Sequence, residues 1–163
     1  MLVTTVKKQL KMRDWAMLFC FRNTILSEAI REIDGGEYSH VAYVRRINGE
    51  LWVFEAQKGG FHKIKFKEWI YKYDYRFDVV NIKESRIHIA KFLERERELL
   101  GRKYDFLGLI KFGFVRMIER LFKVDLKMKT NNKRVYCSEA VSIVFGLKCD
   151  DLTPNELYKK LVK

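Results

Sequence analysis

The first half of the chain alternates between short apolar or β-branched runs and turn residues, a pattern that predicts a small sheet. The strand candidates span 15–21, 39–47, 50–56, 61–66 and 77–82. Asn48-Gly49 lies between the second and the third of these runs. This dipeptide is preferred in two-residue type I′ turns, so the pattern predicts an antiparallel hairpin with its turn at these two residues.

The second half follows a helical period. The helix candidates span 87–100, 106–122, 137–145 and a closing segment from 154, with shorter helical stretches over 24–33 and 67–71. In the first of them, one face is predicted to carry Ile87, Ala90, Leu93, Arg97 and Leu100. Thr153, Pro154 and Glu156 form a capping sequence before the last helix. The combined pattern predicts the α+β class, with an antiparallel sheet flanked by helices.

Length and composition predict one globular domain over 1–163, with 48% hydrophobic and 33% charged residues. The three cysteines, Cys20, Cys137 and Cys149, are scattered and form no CxxC pair, which favours thiols in a reducing compartment. The apolar run 15–21 is short for a signal peptide and no small-residue cleavage site follows it. We therefore expect a cytoplasmic protein as encoded, with no transmembrane segment.

The formal net charge is +12, from 33 Lys and Arg against 21 Asp and Glu. Such a charge attracts anionic polymers or anionic lipid surfaces, and it also keeps a protein soluble. The sequence contains no motif that reads DNA or RNA, so specific nucleic-acid binding is not predicted.

Cys137 is the candidate nucleophile. It stands at the start of a predicted helix, where the N-terminal end of the helix lowers the pKa of a thiol. Cys20, in contrast, lies within an apolar strand, and Cys149 follows the end of the helix. A small buried residue is the alternative interpretation of Cys137.

His40, His62 and His88 compete for the role of base, and the hairpin favours His40. With the turn at Asn48-Gly49, Ala42 faces Glu55 and His40 faces Gln57. Alternation along the strands then puts His40 and Glu55 on one side of the sheet, as diagonal neighbours. A carboxylate at this position can orient the imidazole and stabilise its charged form.

Six short motifs occur in an order that resembles the circularly permuted, NlpC-like papain-fold cysteine hydrolases, in their YiiX-like branch. The resemblance covers about residues 13 to 160. The motifs are the 14–21 strand, Tyr38-Ser39-His40-Val41, Val53-Phe54-Glu55-Ala56, Gly101-Arg102-Lys103-Tyr104-Asp105, Tyr136-Cys137-Ser138-Glu139 and Leu152-Thr153-Pro154.

The resemblance implies a permuted papain-like fold, in which a small antiparallel sheet packs against the helix that bears the nucleophile. It implies Cys137 as nucleophile, His40 as general base and Glu55 as the residue that orients His40. The implied substrates are peptide or amide bonds, often in cell-wall peptides, and no metal or cofactor is implied. Tyr38, Gln57 and Tyr104 are candidates for the lining of the cleft or for its oxyanion side.

Two alternatives stay open. The permuted order of motifs is also similar to that of lecithin–retinol acyltransferase-type enzymes, which move acyl groups between lipids. The basic, apolar stretch 103–123 fits such a lipid partner, although a core helix explains it equally well. A non-catalytic basic binding module would explain the charge of +12, but it would leave the arrangement of Cys137, His40 and Glu55 unexplained.

Overall fold

The structure, a computed structural model, describes residues 14–21, 27–28, 31–32, 35–73, 76–122, 134–147 and 152–162. Cys149, most of the helix predicted over 24–33 and most of the basic stretch 127–134 lie outside these residues. The strands are β1 (Trp15–Phe21), β2 (His40–Ile47), β3 (Glu50–Gln57), β4 (Gly60–Lys65), β5 (Arg76–Asn81), β6 (Lys103–Tyr104) and β7 (Arg134–Val135). The helices are α1 (Phe66–Tyr73), α2 (Ile89–Leu99), α3 (Phe106–Phe122), α4 (Cys137–Phe145) and α5 (Pro154–Val162), with a 3₁₀ turn at Glu84–Arg86.

Five strands form an antiparallel sheet in the order β4-β3-β2-β1-β5. The predicted hairpin register is confirmed from Tyr43, which pairs with Phe54, to Ile47, which pairs with Glu50. Asn48 and Gly49 have φ values of 50° and 82°, as a type I′ turn requires. The α+β class predicted from the sequence is therefore confirmed.

The predicted bounds of the elements agree closely with the structure, and α3 and α4 agree at both ends. At the start of α5, Thr153 Oγ1 accepts a hydrogen bond from the backbone N–H of Glu156 at 3.1 Å. The Glu156 carboxylate in turn accepts from the N–H of Thr153 at 2.9 Å, which confirms the capping box. The sequence missed β6 and β7, which pair in parallel, because a two-residue strand has no detectable period.

Each face of the five-stranded sheet carries its own apolar cluster. On one side, here called the α4 face, the helices α2 and α4 pack over the strand residues Met17, Phe19, Val41, Tyr43, Phe54 and Ala56. On the other side, here called the α1 face, Phe66 and Trp69 of α1 pack over the strand residues Leu18, Cys20, Ala42, Val44 and Val53. The alternation of side chains along each strand separates the two clusters.

The predicted face of α2 was right only in part. Ile87 and Leu93 pack against the cluster of the α4 face, but Ala90, Arg97 and Leu100 are exposed. The buried residues of this helix are Phe92, Glu96 and Leu99. Glu96 is buried because its carboxylate accepts hydrogen bonds from Arg45 of β2, at 2.6 and 3.1 Å, and from the hydroxyl of Tyr43, at 2.9 Å. A search for apolar positions does not select a glutamate, so the sequence did not predict the burial of Glu96.

This cluster also changes the ionisation of Tyr43. Burial raises the pKa of Tyr43 well above its usual value, and the charge of Glu96 raises it further. Tyr43 therefore stays a neutral hydroxyl and continues to donate to Glu96, which helps to hold α2 on the sheet.

No helix among the described residues is long and apolar enough to cross a membrane.

The two neighbouring arginines of β2 provide a test of this buried ion pair. Arg45→Met would leave the Glu96 carboxylate buried without its cation, and we expect the free energy of unfolding to fall by about 3–5 kcal/mol. The matched control is Arg46→Met, because Arg46 pairs with the exposed Asp14, and a change of about 0–1 kcal/mol is expected there. Urea denaturation measures both values. Similar losses for the two variants would contradict this role of Glu96.

Candidate active site

His40 and Glu55 form the centre of the candidate site. The Nε2 atom of His40 lies 2.8 Å from Oε2 of Glu55, and both side chains are buried. Glu55 is 0% exposed to solvent. The two residues lie on neighbouring strands and project from the α1 face, as alternation with Ala42 and Val53 requires. The sequence predicted that these residues share a face, and the structure brings them into direct contact.

The second carboxylate oxygen of Glu55 also has a donor. The indole Nε1–H of Trp69, in α1, donates to Oε1 of Glu55 over 3.0 Å. His62, directly opposite Glu55 on β4, has its Nε2 atom 3.7 Å from the same oxygen. A buried carboxylate needs such partners, because removing it from water without them costs several kcal/mol.

These contacts determine which nitrogen of His40 can act as a base. When Glu55 is ionised, its carboxylate oxygens only accept hydrogen bonds, so Nε2 of His40 then carries the proton that it donates to Glu55. In the neutral ring the other nitrogen, Nδ1, then carries the lone pair. Nδ1 is therefore the atom of His40 that can accept a proton.

The chain leading into β2 is held by α5. The side chain of Asn155 accepts a hydrogen bond from the backbone N–H of Tyr38 and donates one to its carbonyl, each at 2.8 Å. Gly36 makes this possible, because a Cβ atom at this position would collide with the Asn155 side chain. Asn155 thus fixes the backbone two residues before His40.

Cys137 is the first residue of α4, and its side chain is 5% exposed. The carboxylate of Glu139 accepts a hydrogen bond from the backbone N–H of Tyr136 at 3.3 Å, which stabilises the start of the helix. Gly146, in the left-handed conformation with φ of 65°, ends the helix after Phe145. The other described cysteine, Cys20, is a fully buried thiol in β1.

Backbone hydrogen bonds at one end of the sheet hold the segment that leads into Cys137. At this end Gln57 pairs with Gly60, and Phe61 exchanges backbone hydrogen bonds with Arg102 and Gly101. The strand β6 follows directly and pairs with β7, whose last residue precedes Cys137 by two positions. The strands β2 and β3 are antiparallel, so β2 begins, at His40, at the same end as β3 ends, at Gln57.

Cys137 belongs to the cluster on the α4 face, whereas His40 and Glu55 project from the α1 face. The thiol and the imidazole therefore belong to opposite faces of the sheet. Both residues stand at the first position of their elements, and His40 is paired there with Cys20 of β1. The helix α4 packs against β2 and β3, the two strands that carry His40 and Glu55.

The remaining candidates occupy different surroundings. Tyr38 is buried among aromatic rings, and its hydroxyl donates to Asp78 over 2.9 Å. Burial, followed by hydrogen bonds with Tyr158 and Asp78, raises the pKa of Tyr38 far above its usual value. Tyr104 is half-buried against the cluster of the α4 face. Gln57 is half-buried, and its Nε2 atom is buried with no hydrogen-bond partner among the described residues.

Sequence reasoning missed two residues of this site, Trp69 and Asn155. Each forms a hydrogen bond to a residue distant in the chain, and no local sequence pattern predicts such a bond. A weak signal existed for Trp69, since an isolated glutamate within the apolar run 51–56 requires a donor from elsewhere. His88, the third histidine, is exposed at the start of α2 and contributes nothing to the site.

The charge of Glu55 can be tested through the titration of His40. Glu55→Gln preserves the shape but removes the negative charge that favours the imidazolium, so the pKa of His40 should fall. Titration of both proteins by NMR measures the shift. His88, exposed just before α2, serves as the internal control. An unchanged pKa of His40 would mean that Glu55 is not ionised beside it.

The comparisons with known proteins identify a similar fold. No protein-family model matches the chain, and no curated protein matches it in sequence. Among solved structures, the chain is similar to the metalloprotein YiiX from Escherichia coli O157:H7, with a TM-score of 0.58 and 22% sequence identity. The match covers 82% of this chain and 64% of that chain, so the protein spans less than two thirds of the length of YiiX.

YiiX is described as a metalloprotein, which raises the question of whether a metal fits here. Among the described residues, no group of three or more His, Cys, Asp or Glu side chains is arranged to hold a metal ion. Glu55 uses one carboxylate oxygen for His40 and the other for Trp69. The metal is stated of YiiX alone, and the likeness establishes a similar fold.

Proposed function

We propose that this protein is a cysteine hydrolase that cleaves a peptide or amide bond through a thioester, on a permuted papain-like fold. The observation that supports the proposal most strongly is the buried hydrogen bond between His40 and Glu55. A carboxylate with no exposure and a histidine held by it are costly to bury for packing alone. This bond leaves Nδ1 of His40 as a base at the end of the sheet where Cys137 begins α4.

In the proposed reaction, Nδ1 of His40 takes the proton of the Cys137 thiol. The thiolate attacks the substrate carbonyl, and a tetrahedral oxyanion forms. The protonated imidazole is stabilised by Glu55, and it then gives the proton to the leaving amine as the C–N bond breaks. Water, deprotonated by His40, hydrolyses the thioester and restores the thiol.

Two donors are proposed for the oxyanion. The first is the backbone N–H of Cys137, because amides in the first turn of a helix point away from the helix and have no carbonyl partner within it. The second is the side-chain amide of Gln57, whose buried Nε2 atom has no hydrogen-bond partner among the described residues and which ends β3, the strand of Glu55. A substrate oxygen would satisfy this buried donor.

The second candidate function is thiol-dependent acyl transfer or acyl hydrolysis on a lipid, with the same three residues. It is favoured by the large apolar side chains that α3 exposes to solvent. A non-catalytic basic module is favoured less, because it assigns no role to the buried pair of His40 and Glu55.

The nucleophile can be tested by alkylation. Because Cys137 begins a helix and His40 acts as its base, its pKa should be lowered, and iodoacetamide at about pH 6 should modify Cys137 ahead of Cys20. Peptide mass spectrometry measures both rates. In His40→Ala the rate at Cys137 should fall toward that of an ordinary thiol. Equal rates for the wild type and His40→Ala would contradict the proposed pair.

The proposed roles also predict non-additive losses. Cys137→Ala and His40→Ala should each abolish turnover of a fluorogenic peptide amide or aryl ester that the wild type hydrolyses, and the double variant should lose little more. The melting temperature should change little in Cys137→Ala, because functional positions are seldom optimised for stability. A variant that unfolds would show instead that the thiol serves packing in the cluster of the α4 face.

A further inference from the structure

The helix α3 exposes more large apolar surface than any other described element. Nine large hydrophobic residues are exposed among the described residues, and five of these lie on α3. These five are Leu107 (61% exposed), Ile110 (49%), Phe114 (58%), Leu121 (69%) and Phe122 (70%). At about 100° per residue they fall within an arc of about 120° on the helix surface. We call this set the α3 stripe.

An apolar stripe of this width on a helix surface is normally buried against a partner, and the exposed Lys111 lies within the same arc. The sequence analysis left open whether the stretch 103–123 is a core helix, and the exposure of the α3 stripe shows that its outer side is not part of the core. The exposure of the α3 stripe therefore favours the second interpretation of this stretch, a surface that binds lipid.

The charge around α3 indicates the chemistry of the partner. From 103 to 134 the sequence contains nine Lys or Arg and three Asp or Glu, a net charge of +6. Lys103, just before the helix, and Lys111, within it, are both exposed. Apolar side chains together with cationic ones form the pattern of a helix that lies in the plane of an anionic lipid surface.

A second copy of the chain is a less suitable partner for the α3 stripe, because of the positive charge of the segment 103–134. A symmetric pair joined through the α3 stripe would bring two segments of the same positive sign together, and like charges repel. An anionic bilayer would instead attract both the cationic segment and the aromatic and aliphatic side chains of Phe114 and Leu121.

The start of α3 is fixed relative to the candidate site. The carboxylate of Asp105 accepts a hydrogen bond from the backbone N–H of Gly108 at 2.9 Å and so caps the helix. The N–H of Asp105 donates to the carbonyl of Val135 at 3.1 Å, two residues before Cys137. A Cβ atom at position 108 would collide with Asp105, so glycine is required there.

We propose that the α3 stripe binds the surface of an anionic lipid bilayer, with α3 lying in the plane of the interface. Because Asp105 ties the start of α3 to the strand before Cys137, the bound protein would hold its candidate active site close to the membrane. This binding is independent of the proposed catalysis, since none of the three proposed catalytic residues belongs to the stripe.

Sedimentation with vesicles tests the proposal. The wild-type protein should bind vesicles of phosphatidylcholine and phosphatidylglycerol, and it should bind pure phosphatidylcholine much more weakly. Added salt should reduce the binding, because it screens the attraction between charges. Phe114→Glu and Leu121→Glu should each weaken binding by about tenfold or more, since each removes a large apolar side chain from the interface.

The matched control is Tyr71→Glu. Tyr71 is 78% exposed on α1, outside the stripe, so this variant introduces the same charge and should bind like the wild type. Cys137→Ala should also bind like the wild type, which separates this proposal from the proposed function. Circular dichroism confirms that each variant is folded.

Three results would overturn the proposal. One is the absence of binding to anionic vesicles, and another is equal binding to neutral and anionic vesicles. The third is a dimer in analytical ultracentrifugation that Phe114→Glu dissociates while vesicle binding is absent, which would identify a second copy as the partner of the stripe.

Discussion

The buried carboxylate of Glu55 imposes the strongest constraint on this structure. It has no contact with solvent, so its charge must be compensated by neighbouring side chains. Trp69 of α1 and His40 of β2 each supply a donor, and they do so from different elements. The single carboxylate therefore ties the central hairpin to the helix on the α1 face, and it fixes the ring of His40 in one orientation.

Two further parts of the candidate site are held by hydrogen bonds between a side chain and the backbone. Asn155 bonds to both backbone groups of Tyr38 and so fixes the entry to β2. Glu139 bonds to the backbone of Tyr136 and so fixes the start of α4. A nucleophile and its base need a defined geometry, and polar contacts to the backbone add to the packing that provides it.

The two faces of the sheet are stabilised in different ways. The α1 face is closed by the aromatic rings of Phe66 and Trp69. The α4 face carries a charged cluster, in which Glu96 of α2 joins Arg45 and Tyr43. The helix α3 differs from both arrangements, because five of its large apolar residues face solvent and its start is tied to the sheet region. The likeness to YiiX concerns the fold and does not by itself explain this outward stripe.

The sequence by itself determined the longer elements and the hairpin register, because the period of apolar residues and the Asn48-Gly49 turn are local signals, whereas β6 and β7 are too short to have a period. The register in turn sufficed to place His40 and Glu55 on one face. Only the tertiary structure decided the strand order, the donors of Glu55 and the burial of Glu96. These depend on residues far apart in the chain, such as Trp69 and Arg45, and on whether a charged side chain finds a partner there. The sequence could not predict that the α3 stripe is exposed. The apolar pattern of a helix is the same whether its apolar side packs against the core of the protein or against another surface.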